Sequence, residues 1–272
     1  MYYYYSNWGP SIVKYFIGTL VILQCVQTVG ASPGDDKSAA TAATRQAVAE
    51  RDPDFLFGSP KGWIGIRGGR FFSREDSQIF DFTRDLLTVD KGDFDLPIVG
   101  FDLGLTLNPQ TDALFAIELG KTSIGSEFRE FVDEHDIGIT QVTRLADIEL
   151  SGSLKRYLTS RGRKVSQYAW IPSTLIPYVG AGGGLLWYKF SQSGDFVDFI
   201  DLSIFTDDFQ SSGWTFGAHV FGGVDIKLSR KVFLTTQVRY RWAATQLKRD
   251  FVDFDSIDLD GVKITTGVLL LF

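Results

Sequence analysis

The sequence is poor in the residues that most often build metal and redox sites: its 272 residues include one cysteine, one methionine and two histidines. A single cysteine excludes a disulfide framework and a cysteine-rich zinc site, and two histidines leave little for histidine-based metal chemistry. Basic residues are outnumbered by acidic ones, 27 to 33, which gives a net charge of −6. This balance argues against nucleic acid as the main partner, because phosphate binding needs a basic surface. There is also no stretch of about 18 consecutive apolar residues, which excludes a bundle of membrane-spanning helices.

Phenylalanine and glycine, in contrast, are abundant, with 23 and 28 residues. A hydrophobic content of 44% and a charged content of 22% exclude a wholly disordered chain. Aromatic enrichment favours β structure. The length suits one domain of roughly 200–250 residues, or two small ones.

The N-terminal residues have the pattern of a secretory signal peptide. Lys14 precedes a mostly apolar run over residues 15–26, and small residues follow at 30–32. A run of about twelve residues is short for a bilayer span. We therefore predict a signal peptide at residues 1–32, removed together with Cys25; a membrane anchor is the alternative. Residues 33–58 are small and polar and are predicted to form a flexible N-terminal linker, with a plug or a partner-binding helix as the alternative.

From residue 62 onwards the sequence alternates with a period of two, which is typical of β-strands with two different faces. In the last segment, the even-numbered residues from Val262 to Phe272 are apolar apart from one threonine. Each segment is about as long as a tilted bilayer-crossing strand, which needs about 9–11 residues. The eight segments are residues 62–72, 97–107, 113–121, 139–158, 176–190, 214–228, 232–242 and 262–272.

The links between these segments alternate in length. The first, third, fifth and seventh links are long and the second and sixth are very short, whereas the fourth, residues 159–175, breaks the rule. The four long links carry 22 acidic and six basic side chains. Long links at one end and short links at the other are the pattern of outer-membrane barrels. We therefore predict an all-β fold, an eight-stranded antiparallel up-and-down transmembrane β-barrel at residues 59–272.

Three short features carry a resemblance to a known family: GWIGIRGG at residues 62–69, PYVGAGGG at 177–184, and Phe272 at an alternating position of the last strand. With the eight strands and the signal peptide, they resemble the small eight-stranded outer-membrane β-barrel proteins, the OmpA/OmpX-like group, over residues 60–272. The resemblance implies location in the outer membrane of a Gram-negative-type bacterium and contact with its lipid. It also implies that Phe272 is the signal read by the barrel-assembly machinery.

One face of each strand should meet lipid and the other should line the lumen. We assign the apolar face to lipid. An eight-stranded barrel is only wide enough for its own side chains, and buried charges must be paired, so the lumen is predicted to be filled by an ion-pair network. The predicted members are Arg67, Asp102, Glu118, Asp147, Glu149, Lys155, Asp225, Lys227, Arg239, Arg241 and Lys263.

The function expected from this pattern is structural, either stabilising the envelope or presenting a surface for interaction. A narrow pore or transporter for small solutes is the alternative, and a lipid-modifying enzyme is a third candidate. A lipid hydrolase would need a histidine, a hydroxyl and a carboxylate on or near the lipid-facing side. His219 falls on the lumen face and His135 in a long link, so we predict that the chain is not an enzyme and has no cofactor.

The sequence Phe-Val-Asp recurs in three of the long links. In one interpretation the strands continue past the membrane, with phenylalanine in a small core and aspartate facing water. In a second, the carboxylates bind a divalent cation weakly; calcium wants 6–8 oxygen ligands, although no link matches a known calcium spacing. In a third, the motif contacts an extracellular partner that the sequence does not identify. The residues concerned are Phe131, Asp133, Phe196, Asp198, Phe251 and Asp253.

Overall fold

The computed structural model describes residues 55–133, 135–166 and 168–272. The predicted signal peptide at 1–32 and residues 33–54 of the predicted linker lie outside the described residues. The rest of that linker range contains a two-residue strand. Within the part of the chain that the structure describes, no helix is both long enough and apolar enough to cross a membrane.

Most of the described chain is extended, and one short helix, α1 (Gln78–Leu86), and a 3₁₀ turn (Arg249–Phe251) interrupt it. The strands, in chain order, are β1 (Leu56–Phe57), β2 (Gly62–Ser73), β3 (Leu96–Asn108), β4 (Thr111–Val132), β5 (Gly138–Tyr157), β6 (Gly162–Lys164), β7 (Ala169–Pro172), β8 (Leu175–Val197), β9 (Ile204–Lys227), β10 (Val232–Trp242), β11 (Ala244–Gln246), β12 (Ser256–Asp258) and β13 (Gly261–Leu271).

Eight of these strands, β2, β3, β4, β5, β8, β9, β10 and β13, form one closed antiparallel barrel in which each pairs with the next along the chain. Closure comes from β13, which pairs with β10 on one side and with β2 on the other. The register places Val268 opposite both Leu234 and Ile66. Closing the sheet leaves no unpaired edge, so every strand of the barrel satisfies its backbone hydrogen bonds within the protein. The predicted fold class is confirmed.

The outer surface of the barrel is apolar. Along β2, Ile64 and Ile66 are about half exposed, whereas Arg67 is buried in the lumen. The same alternation runs around the ring, and a closed barrel with such an apolar belt is built to span a bilayer. The belt includes Val99, Phe101, Leu103, Leu105, Phe115, Ile117, Leu119, Leu150, Leu154, Val179, Leu185, Trp214, Phe216, Val220, Val238, Trp242, Ile264, Val268 and Leu270.

The prediction that the third and fifth links are long loops is wrong. The loop between β4 and β5 is confined to residues 133–137, and that between β8 and β9 to residues 198–203. These four strands have 20 to 24 residues, about twice the length that a tilted bilayer-crossing strand needs. The two hairpins therefore extend well past the membrane, because their backbones keep pairing where the alternation of apolar and polar residues weakens.

The fourth link, which breaks the alternation of link lengths, is a folded element. Its strands β6 and β7 pair with each other, and β7 pairs with β1, in a small sheet at the short-turn end of the barrel. Trp170 of β7 and Arg161, which precedes β6, are both buried. The link is therefore long because it covers that end of the lumen.

Candidate functional site

Ten of the eleven charged residues predicted for the lumen are buried there; Lys227, close to the β9–β10 turn, is half-buried. Alternation along the strands places these side chains inside, since every second residue of a barrel strand faces the lumen. Five of the ten are cationic and five are acidic. Eight of them meet in the middle of the barrel and form what we call the ion-pair layer: Arg67, Asp102, Glu118, Asp147, Glu149, Arg239, Arg241 and Lys263.

Glu118 of β4 is one of the two centres of the ion-pair layer. Its carboxylate accepts from Lys263 and forms ion pairs with Arg67 and with Arg239, whose Nη1 lies 3.2 Å away. Arg67 also reaches Asp102 of the neighbouring strand, with 2.8 Å between Nε and Oδ2. Each guanidinium and carboxylate therefore has a counter-charge within contact distance, which is the condition for burying ions in a protein interior.

Glu149 of β5 is the second centre. Its Oε2 accepts from Lys263 Nζ at 2.5 Å and from Arg241 Nη1 at 3.2 Å. Arg241 also donates to Asp147 at 2.8 Å. Lys263 thus joins the two glutamates, and the layer links strands β2, β3, β4, β5, β10 and β13 across the lumen.

His219 lies beside the ion-pair layer, with its Nε2 atom 2.8 Å from Ser153 Oγ. Its Nδ1 is 3.5 Å from Glu149 Oε1. A hydroxyl, an imidazole and a carboxylate in contact in this order are the residue types of a hydrolytic triad. Glu149, however, is shared among cations, and a Cβ at Gly182 would lie 2.4 Å from Ser153 Oγ, so the wall of β8 occupies the space in front of this hydroxyl.

The short-turn end of the lumen is closed by what we call the basal plug: Trp63, Asp112, Tyr157, Arg161 and Trp170. Asp112 is completely buried and accepts three hydrogen bonds, from Trp63 Nε1 at 2.8 Å, Tyr157 Oη at 2.6 Å and Arg161 Nη1 at 2.9 Å. The Trp63 indole packs directly against Gly104, where a Cβ would be only 2.1 Å from the ring. The alternation pattern missed Asp112, because the residue stands beside a turn.

A buried ion pair separates the basal plug from the ion-pair layer. Lys155 Nζ donates to Asp225 Oδ2 at 2.7 Å. The same ammonium lies 3.7 Å from the centroid of the Tyr178 ring, a cation–π contact. Thr235 donates to the other oxygen of Asp225 at 2.7 Å.

The loop end is closed by an apolar cluster, the outer core, that spans the hairpin extensions and the first and last long links. Helix α1 contributes Phe80, whose ring is 4.8 Å from Phe94 and 6.3 Å from Phe190 between centroids. Buried Glu75 anchors the first link by accepting from Gly92 N at 2.9 Å and Arg84 Nη1 at 3.0 Å. Burial raises the pKa of Glu75.

The three Phe-Val-Asp motifs place their rings against this core. Phe251 is buried in it, Phe131 packs against it, and Phe196 contacts Phe209 at 4.7 Å between centroids. These contacts agree with the first interpretation of the motif, in which the strands continue past the membrane and the phenylalanine rings form a small core. Two of the three valines, Val132 and Val252, are exposed instead.

The aspartates of the first two motifs hold turns. Asp133 Oδ1 accepts from the backbone N–H groups of His135 and Ile137, each at 2.8 Å. Asp198 Oδ1 accepts from Ile200 N at 2.8 Å. Asp253 is exposed. Among the described residues, no group of three or more His, Cys, Asp or Glu side chains is arranged to hold a metal ion.

This geometry predicts that calcium does not stabilise the protein. Because Asp198 already accepts from the backbone and Asp253 stands apart, adding calcium to the wild type should leave its thermal unfolding midpoint unchanged. The variant Asp198→Asn/Asp253→Asn should respond in the same way. Thermal unfolding followed by circular dichroism with millimolar calcium or with a chelator is the measurement; a midpoint raised by calcium in the wild type alone would restore the cation hypothesis.

Neither a known protein family nor a curated protein matches this chain. Among solved structures it is similar to the Neisserial surface protein A, with 14% identity, a TM-score of 0.45, and coverage of 79% of this chain and 99% of that one. The outer membrane protein OprG from Pseudomonas aeruginosa shows 12% identity and a TM-score of 0.40, over 80% and 99% of the two chains. The attachment invasion locus protein Ail of Yersinia pestis shows 11% identity and a TM-score of 0.40, and the match covers 78% of this chain and 99% of that one. The closed barrel of eight antiparallel strands is itself the fold that the sequence predicts.

Proposed function

We propose that this chain, which has the fold of the small eight-stranded outer-membrane β-barrels, is a closed and non-conducting scaffold that presents an acidic surface outside the cell. The observation that supports this most strongly is the filling of the lumen in three levels: the outer core, the ion-pair layer and the basal plug. An open conduit would need mobile, solvated charges along its wall. Here the cations and carboxylates neutralise one another.

The interaction role rests on the long hairpins, which carry apolar side chains at their tips. Ile200 is 94% exposed and Leu202 and Ile137 are exposed by more than half. Carboxylates surround them, since the loop end of the sequence is strongly acidic. Exposed apolar residues with a charged rim mark an interaction surface, and the negative charge favours a cationic partner.

Single-channel recording in planar bilayers tests whether the barrel is closed. We expect the purified full-length protein to give no steady openings, because the ion-pair layer fills the lumen. Insertion and folding are verified on the same sample by the difference in electrophoretic mobility between boiled and unboiled protein. Steady openings of uniform conductance would overturn the proposal in favour of a narrow pore.

The display role is tested at the tip of the β8–β9 hairpin. Replacing both Ile200 and Leu202 by serine should weaken binding of a lysine-rich amphipathic peptide about 30-fold, since each exposed side chain loses apolar contact worth about 1 kcal/mol. Leu270→Ser on the lipid-facing belt is the matched control and should not change peptide binding. Equal affinity of wild type and the tip variant would remove this surface as a binding site.

A further inference from the structure

A pocket of about 420 Å³ opens at the short-turn end of the barrel, beside the end of β13. Ligand pockets are typically about 300–1,000 Å³. Its walls are the segment 55–61 before β2, the turn before β10, and residues Leu271 and Phe272. The pocket lies apart from the lumen and from the acidic loop end, and the proposed scaffold role makes no use of it.

The barrel topology places one lysine on each side of this pocket. Because β13 lies between β10 and β2, the residues that precede those two strands flank its end. The backbone N–H of Leu271 donates to Lys231 O at 2.8 Å, and that of Lys61 donates to Phe272 O at 2.8 Å. Both lysine side chains are exposed, and Arg230 also lines the pocket. None of the described residues that line it is acidic, so the pocket is electropositive in a chain of net charge −6.

The remaining wall is aromatic. Phe57 is 87% exposed and packs edge-on against Phe55, with 5.4 Å between ring centroids. Phe272 follows Leu270 on the lipid-facing side of β13 and is 55% exposed. The pocket thus stands at the edge of the apolar belt, with hydrocarbon-compatible rings on one side and ammonium groups on the other.

We propose that this pocket binds an anionic phospholipid of the leaflet at the short-turn end, with the phosphate diester between Lys61 and Lys231 and an acyl chain along Phe57 and Phe272. Two ammonium groups can each donate to one of the two unesterified oxygens of a phosphate diester, over which its negative charge is shared. A free phosphate ion would satisfy the lysines alone. The exposed rings at the membrane boundary favour the lipid, because they would otherwise face water.

The test is native mass spectrometry of the full-length protein released from detergent with added dioleoyl phosphatidylglycerol. We expect one tightly held lipid on the wild type, and roughly 30-fold weaker retention by Lys61→Gln/Lys231→Gln, since each cation near the membrane surface contributes about a factor of five. The matched control is Arg163→Gln/Lys164→Gln, which removes two exposed cations of β6 at the same end but outside the pocket, and should retain the lipid as the wild type does. Heat-dependent gel mobility shows that both variants are folded.

Two further arms separate the lipid from other anions. Phe57→Ser should lower retention of phosphatidylglycerol several-fold while both lysines stay in place, and millimolar inorganic phosphate should not displace the lipid. Equal retention by the wild type and Lys61→Gln/Lys231→Gln would overturn the proposal. Displacement by inorganic phosphate, or retention unaffected by Phe57→Ser, would reduce the pocket to a simple anion site and overturn the lipid assignment.

Discussion

Glu118→Gln is expected to lower the free energy of unfolding by about 3–5 kcal/mol, the typical cost of removing one partner from a buried ion pair. The substitution keeps the size and shape of the side chain, so it leaves no cavity. What it removes is the negative charge that faces Arg67, Arg239 and Lys263. Those cations are almost completely buried, so bulk solvent does not reach them to compensate for the lost counter-charge.

Urea unfolding in lipid vesicles, followed by tryptophan fluorescence, measures this loss. The matched control is Glu130→Gln, which removes an exposed carboxylate from the same strand and should cost less than about 0.5 kcal/mol. The double variant Glu118→Gln/Lys263→Gln restores equal numbers of positive and negative charges, so it should be more stable than the sum of the two single changes predicts. Equal stability of Glu118→Gln and Glu130→Gln would show that the ion-pair layer is hydrated.

Alternation is the sequence signal that assigns charged residues to the lumen face. In β10, Arg239 and Arg241 have odd numbers, whereas Val238 and Trp242 have even numbers. In a closed barrel this difference determines whether a side chain faces the lumen or the lipid. In β8, by contrast, Gly180, Gly182 and Gly184 have no side chains to show a face. The structure places their positions on the lumen side, where the Phe221 ring fills the space over Gly180.

The length of the two central hairpins could not be predicted in the same way. Outside the membrane, strands no longer need an apolar face toward lipid, so residues such as Ser191, Gln192 and Ser193 give no periodic signal. These residues pair with β5 and β9 through backbone hydrogen bonds, which the pattern of apolar and polar side chains does not reveal. The outer core beneath them explains the phenylalanine content, which the sequence revealed only as a repeated motif.

The basal plug shows a third limit. The predicted segments leave Asp112 in a short link, whereas the structure places it at the start of β4. Its partners Trp63, Tyr157 and Arg161 come from three distant parts of the chain. Residues that converge on one carboxylate in this way leave no local signature in a single sequence. The length of the fourth link broke the alternation of long and short links for the same reason. The link is long because its residues make contacts across the end of the barrel.

Asp112→Asn is expected to release this end of the barrel. An amide in place of the carboxylate leaves the buried Arg161 guanidinium without a counter-charge and turns one acceptor into a donor that faces other donors. The loss should be about 3 kcal/mol. This loss destabilises mainly the link that contains Arg161. We therefore expect that link to open locally far more often than the whole barrel unfolds. Limited trypsin digestion of the folded protein in detergent, at Arg161, Arg163 and Lys164, measures that opening.

Two variants of the same region make the result specific. Gln110→Ala changes an exposed residue of the neighbouring turn and should leave the cleavage rate unaltered, whereas Trp63→Phe removes only one neutral donor from Asp112 and should have an intermediate effect. Conductance supplies a separate readout. Because the ion-pair layer lies between the basal plug and the outer core, Asp112→Asn should accelerate cleavage without producing channels. Cleavage at the wild-type rate would mean that Asp112 is dispensable, and channel openings would mean that the plug, and not the ion-pair layer, is what closes the lumen.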